Sequence, residues 1–141
     1  YILLFLPLVA LPQIDDICGI WLEEQKRSHV EIYKTTNNKY EGRIIWLKEP
    51  VNEDGTKKKD TKNPNQNLKQ QNLLGLKIIK NLEYVEKNTW EDGSIYDARK
   101  GKTYSLNAKL KDPNTLFMRG YLGVSLIGRT TTWTRLPEKI N

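Results

Sequence analysis

The chain is poor in the residues that most often carry chemistry. Among 141 residues there is one cysteine, Cys18, one histidine, His29, and one methionine. A lone cysteine excludes an intrachain disulfide and any multi-cysteine metal site. A lone histidine removes most zinc and histidine-based catalytic schemes. No glycine-rich phosphate loop, metal-ligand cluster or nucleophile elbow is present. The expected function is therefore non-catalytic, with no metal and no cofactor. Hydrophobic residues make up only 38% of the chain, so its core is thin or wrapped around a space. The length suits one domain able to bury a core without staples. The net charge of +6 fits an anionic partner or serves solubility.

The N-terminus is the one long apolar run. Tyr1-Ile-Leu-Leu-Phe-Leu-Pro-Leu-Val-Ala-Leu11 is uncharged and gives way abruptly to Asp15-Asp16. That is the length of a signal-peptide apolar region and too short to span a bilayer. Residues 1–13 are read as a signal-peptide remnant, cut after Ala10 or close to Gln13, and 14–141 as a single domain. The alternative is an apolar arm packed on that domain. A periplasmic or secreted location follows from the first reading, with no integral membrane span. Cys18 does not fit a lipoprotein cysteine, because Asp15 and Ile17 stand where an apolar and a small residue are needed. It reads as a buried small hydrophobe.

The remainder reads as strands between turn signals. His29-Val-Glu-Ile-Tyr33 leads through Asn37-Asn38, a pair able to adopt positive φ, into Tyr40-Glu-Gly-Arg-Ile-Ile-Trp-Leu47, which predicts a hairpin. Lys77-Ile-Ile79, Glu83-Tyr-Val85 and Ser94-Ile-Tyr96 are short β-rich runs. Ser105 to Lys111 alternates, with Leu106, Ala108 and Leu110 on one face. Thr115-Leu-Phe-Met-Arg119, Tyr121-Leu122 and Arg129 to Arg135 follow. The spacing predicts an all-β fold, an antiparallel β-barrel of about eight strands. Lys48 to Asn72 breaks the rhythm. Asn63-Pro64 is a helix-start signal, so a long loop with one short helix near 64–72 is expected over a barrel end.

Two elements speak to closure of the barrel. Gly19-Ile-Trp21 opens the first strand, and Gly128-Arg-Thr-Thr-Thr-Trp133-Thr-Arg135 forms the last. Glycine permits close backbone approach, the indole closes one end, and a guanidinium can stack on its face. Trp21 is thus expected near Arg129 or Arg135. Joined to Asp60-Thr-Lys-Asn63-Pro64, Gly93-Ser-Ile-Tyr96-Asp97, Gly101-Lys-Thr-Tyr104 and Arg119-Gly-Tyr121, these residues resemble an exported bacterial family catalogued as domain of unknown function 2147. The resemblance covers nearly the whole of residues 14–141. It implies a small secreted or periplasmic barrel similar to lipocalins and fatty-acid-binding proteins, with no established activity. Ala98 departs from it, standing where a proline commonly follows the Tyr-Asp pair and so removing a rigid turn.

Candidate functional residues follow from what can face the interior. Arg43, Arg119, Arg129 and Arg135 lie on strands, and an inward arginine in an apolar cavity needs an anion. Arg135 is assigned to stacking; Arg119 and Arg129 are left open between plug and ligand contact. A pocket at one barrel mouth is expected, lined by Trp46, Tyr96 and Tyr121, with Arg119 or Arg129 holding an acidic head group. A fatty acid or similar amphiphile would suit it. Asp60 and Asp97 sit in turn contexts and are read as caps of backbone N–H groups rather than an acid–base pair. His29 is read as a surface residue on a strand edge. Two other functions stay open: a plugged barrel acting as an envelope protein-interaction module, and nucleic-acid or oligosaccharide binding. Export and the mixed charge around Lys57-Lys-Lys59 weigh against nucleic acid.

Overall fold

The computed structural model describes residues 2–6 and 16–137. Eight antiparallel strands close into one barrel in chain order. They are β1 Gly19–Leu22, β2 Ser28–Lys34, β3 Tyr40–Leu47, β4 Lys77–Glu86, β5 Thr89–Asp97, β6 Lys102–Asp112, β7 Thr115–Tyr121 and β8 Gly128–Leu136. Closure leaves none of these strands at an edge, which removes a template for aggregation. His29 accordingly lies within the sheet, on a strand paired on both sides, and not at an edge. Its ring stacks on Trp46 with centroids 4.2 Å apart.

Two strand assignments change. Tyr121 closes β7 instead of opening a further strand with Leu122. Lys77–Ile79 and Glu83–Val85 belong to one strand, β4, which passes through Asn81 at a φ of 58°. A left-handed residue inside the run masks its continuity in sequence, because it interrupts the two-residue alternation. The helix expected near 64–72 is a single 3-10 turn, Gln66–Leu68. Its cap is Asn65, whose side chain accepts from the backbone N–H of Asn67. Asn63 is occupied elsewhere, its amide donating to the carboxylate of Asp60 at 2.8 Å. Of the apolar leader, Ile2–Leu6 form neither helix nor strand and their side chains are exposed. Tyr1, residues 7–15 and both expected cleavage points lie outside the described residues.

Strands β1 and β8 meet through Trp21 paired with Arg135. The guanidinium carbon of Arg135 sits 4.3 Å from the Trp21 ring centroid. Arg135 also donates to the carbonyls of Pro113 at 2.7 Å, Cys18 at 2.7 Å and Asp16. Trp21 donates its indole N–H to the Ile17 carbonyl at 2.9 Å. Gly19 has a φ of 135°, and a Cβ there would stand 2.6 Å from an Arg135 nitrogen. Glycine is therefore required where the guanidinium crosses the backbone. The expected Trp21–arginine pairing is present, with Arg135 as the partner.

The core fills one end of the barrel. Trp21, Ile32, Tyr40, Leu82, Trp90, Leu110 and Leu116 are buried near the end where the β2–β3, β4–β5 and β6–β7 turns lie. Tyr40 and Tyr84 meet Trp90 edge to face, with centroids 6.3 and 5.7 Å apart, a geometry that aromatic quadrupoles favour. Cys18 is half-buried and packs on this cluster.

Candidate functional site

The other end of the barrel is open. Pairing places Leu116, Met118 and Gly120 of β7 opposite Trp133, Thr131 and Arg129 of β8. Leu116, Met118 and Trp133 are buried, so by alternation Gly120, Thr131 and Arg129 share the inward face. Residues on that face become smaller or more polar toward the open end. The result is a cavity of about 640 Å³. Its wall includes Val30, Ile44, Ile95, Leu106, Met118 and Trp133. A Cβ at Gly120 would meet only ordinary contacts, the nearest 3.6 Å away on Tyr104. This glycine leaves space in the wall of the cavity.

The rim is built from four connections. Glu23, Glu24, Gln25 and Arg27 come from the β1–β2 loop, Leu73 from the β3–β4 segment, and Ala98, Arg99 and Lys100 from the β5–β6 turn. Leu122 and Ile127 come from the β7–β8 loop. Tyr96, Tyr121 and Arg129 line this mouth. The Arg129 guanidinium lies 3.8 Å from a Glu24 carboxylate oxygen with its side chain 75% exposed. It remains available to a ligand, since such an exposed pair is worth little. Glu24 is fixed in turn by the backbone N–H of Thr132 at 3.1 Å.

Trp46 and Arg119, grouped with these residues in the sequence, do not line the cavity. Val30 pairs with Ile44 but His29 with Trp46, so Ile45 is an extra residue in β3. Such a bulge inverts the alternation beyond it and turns Trp46 outward beside His29. The same inversion brings Leu47 to the cavity, opposite Ser28, which keeps the inward parity of Val30 on β2. Arg119 has the opposite parity to Met118 and Gly120 and faces outward. Its guanidinium donates to the Ser125 carbonyl at 2.8 Å and to the Thr130 hydroxyl at 3.0 Å. It also reaches the Leu126 carbonyl at 3.4 Å. Arg119 thus holds the β7–β8 loop, and Arg43 pairs on the outer surface with Glu31 at 2.7 Å.

Asp60 ties the long β3–β4 segment to the barrel. It is buried and accepts hydrogen bonds from the Tyr96 hydroxyl at 2.7 Å, the Asn63 amide at 2.8 Å and the Gln71 amide at 3.1 Å. Its carboxylate therefore serves three side chains, in place of the expected backbone cap. Pro64 follows Asn63 on the surface of this segment. Burial, reinforced by the bond to Asp60, pushes the Tyr96 phenol well above its ordinary pKa. Asp97 does cap a turn, accepting from the Arg99 N–H at 3.0 Å. Its carbonyl accepts from Lys100 at 3.2 Å and Gly101 at 2.8 Å. These bonds close the turn that Ala98, lacking proline's constraint, does not fix. At Gly101 the φ is 66° and a Cβ would overlap the Lys62 carbonyl at 2.0 Å, so the turn and the segment are fitted together.

Several cavity residues were not singled out by the sequence: Met118, Gly120, Thr131, Ile95 and the rim acid Glu24. Alternation in β7 and β8 carried a usable signal for the first three. Glu24 carried none, because its approach to Arg129 joins distant parts of the chain. Among the described residues no group of three or more His, Cys, Asp and Glu could hold a metal ion. No helix among them is long and apolar enough to cross a membrane.

Comparison with known proteins gives two matches. A family model described as an uncharacterized protein conserved in bacteria, DUF2147, matches residues 19–135. Among solved structures, the chain is similar to protein HP1028 from the human pathogen Helicobacter pylori, described as belonging to the lipocalin family. The two are 27% identical and superpose with a TM-score of 0.74 over 86% of this chain and 84% of that one. No curated protein matches the chain.

Proposed function

The chain belongs to DUF2147, a family of uncharacterized proteins conserved in bacteria, and on that premise we propose that its barrel binds a small amphiphilic anion without chemically changing it. The observation that carries this reading is the apolar cavity of about 640 Å³, open at one end and stoppered at the other by Trp21 and Arg135. Its size falls within the range of small-molecule sites, and its walls are mainly apolar with a few polar groups at the rim. Arg129 stands at that rim on the inward face. A guanidinium there offers a carboxylate two parallel hydrogen bonds while an apolar tail occupies the barrel. A fatty acid has this form. The likeness to a protein described as a lipocalin favours binding over catalysis.

The plugged-barrel alternative has against it the unfilled space bounded by Val30, Ile95 and Met118. The apolar leader supports a periplasmic or secreted location. Asp60 and Asp97 are engaged in holding loops, so no turnover of esters, glycosides or peptides is expected. An activity abolished by Asp60→Ala or Asp97→Ala would overturn the non-catalytic reading. Native mass spectrometry of protein purified from its host without refolding tests the binding itself. A bound amphiphile and saturable uptake of a fluorescent fatty acid are expected. A clean apo mass with no saturable uptake would sink the proposal.

A further inference from the structure

The β7–β8 loop, residues 122–127, is the most apolar exposed segment of the barrel. Leu122, Val124, Leu126 and Ile127 are 58%, 58%, 89% and 73% exposed. Such a cluster on one short loop needs an explanation, since isolated exposed apolar residues are common but contiguous groups mark contact surfaces. The loop is a built structure. Gly123 takes a φ of 76°, and the Ile127 N–H donates to the Val124 carbonyl at 3.1 Å. Arg119 binds the Ser125 and Leu126 carbonyls. With these backbone groups satisfied from the barrel side, the apolar side chains remain in solvent. The loop also borders the mouth, where Leu122 and Ile127 line the cavity.

We propose that this loop is a membrane-docking tip that inserts into the interface of an anionic phospholipid bilayer and sets the cavity mouth against the lipid. The charges around it select that partner. No acid occurs between Asp112 and Glu138, whereas Arg119 and Arg129 flank the loop. Arg27, Arg99 and Lys100 stand elsewhere on the rim. The rim acids are held locally. Glu23 accepts from the backbone N–H groups of Gln25 and Arg27, Glu24 from that of Thr132, and Asp97 from that of Arg99. Arg129 and Arg99 lie against Glu24 and Asp97, so the cationic excess around the tip rests on Arg27, Lys100 and Arg119 against Glu23. An apolar tip beside such an excess suits an interface where acyl chains lie beneath anionic head groups. The proposal deepens the ligand reading and rests on it for its purpose, since a membrane-dissolved amphiphile would enter or leave at the docked mouth.

Flotation with vesicles of phosphatidylglycerol and phosphatidylcholine, against vesicles of phosphatidylcholine alone, tests the docking. The protein is expected to float with the anionic vesicles and to be released by high salt. The double substitution Val124→Ser with Leu126→Ser is expected to lower partitioning roughly tenfold. Neither residue lines the cavity, so fatty-acid uptake without vesicles should be unchanged. Parent and double variant are compared in the same form, with residues 1–13 removed from both, and any difference therefore belongs to the loop. Leu126→Trp provides a second measurement: its fluorescence, relative to the parent protein, should shift to the blue on anionic vesicles only. Equal flotation of parent and double variant, or no flotation of the parent, overturns the proposal. So does a dimer in sedimentation velocity that the double variant lacks, which would assign the loop to a second copy of the chain. Flotation without fatty-acid uptake would instead sink the ligand reading and leave the docking standing.

Discussion

The two ends of the barrel are made from the same strands and differ in what their inward faces carry. At one end Trp21, Tyr40 and Trp90 fill the lumen, and Arg135 covers Trp21 while binding three backbone carbonyls. At the other, Gly120, Thr131 and Arg129 occupy corresponding inward positions and leave a cavity. A small barrel encloses packed side chains or a ligand-sized space according to the volume of these residues. Here both outcomes occur in one lumen. The closed end supplies stability, and the open end gives up packing for accessible volume.

The largest effect should come from the closed end. Trp21→Ala leaves a void beneath Arg135 and is expected to cost about 3–5 kcal/mol in denaturant unfolding. A cost below about 1 kcal/mol would mean that the stopper does not carry the fold. Asp60→Ala strands the Tyr96 hydroxyl and two amides, with an expected loss of about 1–3 kcal/mol. Hydrogen exchange should show faster opening of residues 57–72, with the closed end still protected. Uniformly faster exchange would contradict a division between the two ends.

At the open end the effects should fall on binding. Gly120→Leu places a side chain in the cavity and is expected to weaken fatty-acid uptake roughly tenfold, about 1.4 kcal/mol, while largely sparing stability. Arg129→Gln should weaken uptake about two- to fivefold and change stability by less than about 0.5 kcal/mol, as befits an exposed charge. If it leaves both carboxylate and alcohol ligands bound as before, Arg129 is not the head-group contact.

The smallest effect concerns pH. The Tyr96 phenol ionises well above its ordinary value of 10.0 because it is buried and donates to Asp60. Its contribution to stability is therefore complete below pH 10 and declines as pH rises beyond the unfolded-state value. Alkaline unfolding curves of Tyr96→Phe should be flatter than those of the parent. Tyr33, also raised by burial and by Glu41, remains in both proteins and cancels in the comparison. An unchanged slope would show that Tyr96 keeps no such proton in the folded state.

Strand count, antiparallel order and the Trp21–arginine closure were legible because each depends on local spacing or on a conspicuous residue at each end of the chain. The β4 strand was legible only in pieces, since Asn81 breaks its alternation. Parity separates Arg129 from Arg119 once β7 and β8 are aligned on Met118 and Trp133. The fate of Trp46 was hidden, because one extra residue at Ile45 changes its face without any signature in composition. Asp60 was recognisable as a loop residue, but its bond to Tyr96 spans 36 positions and has no short-range counterpart.

Local sequence pattern was enough to dictate β-strands and chain ends able to close a barrel. Alternation, turn residues and the Gly19–Trp21 and Arg135 elements act over a few residues or through one strong pairing. Which end is stoppered, that Arg129 faces the mouth while Arg119 supports a loop, and that Trp46 stays outside were settled by the assembled barrel. Those outcomes depend on strand register and on bulges. A shift of one residue costs little locally, yet it moves every subsequent side chain between the lumen and solvent.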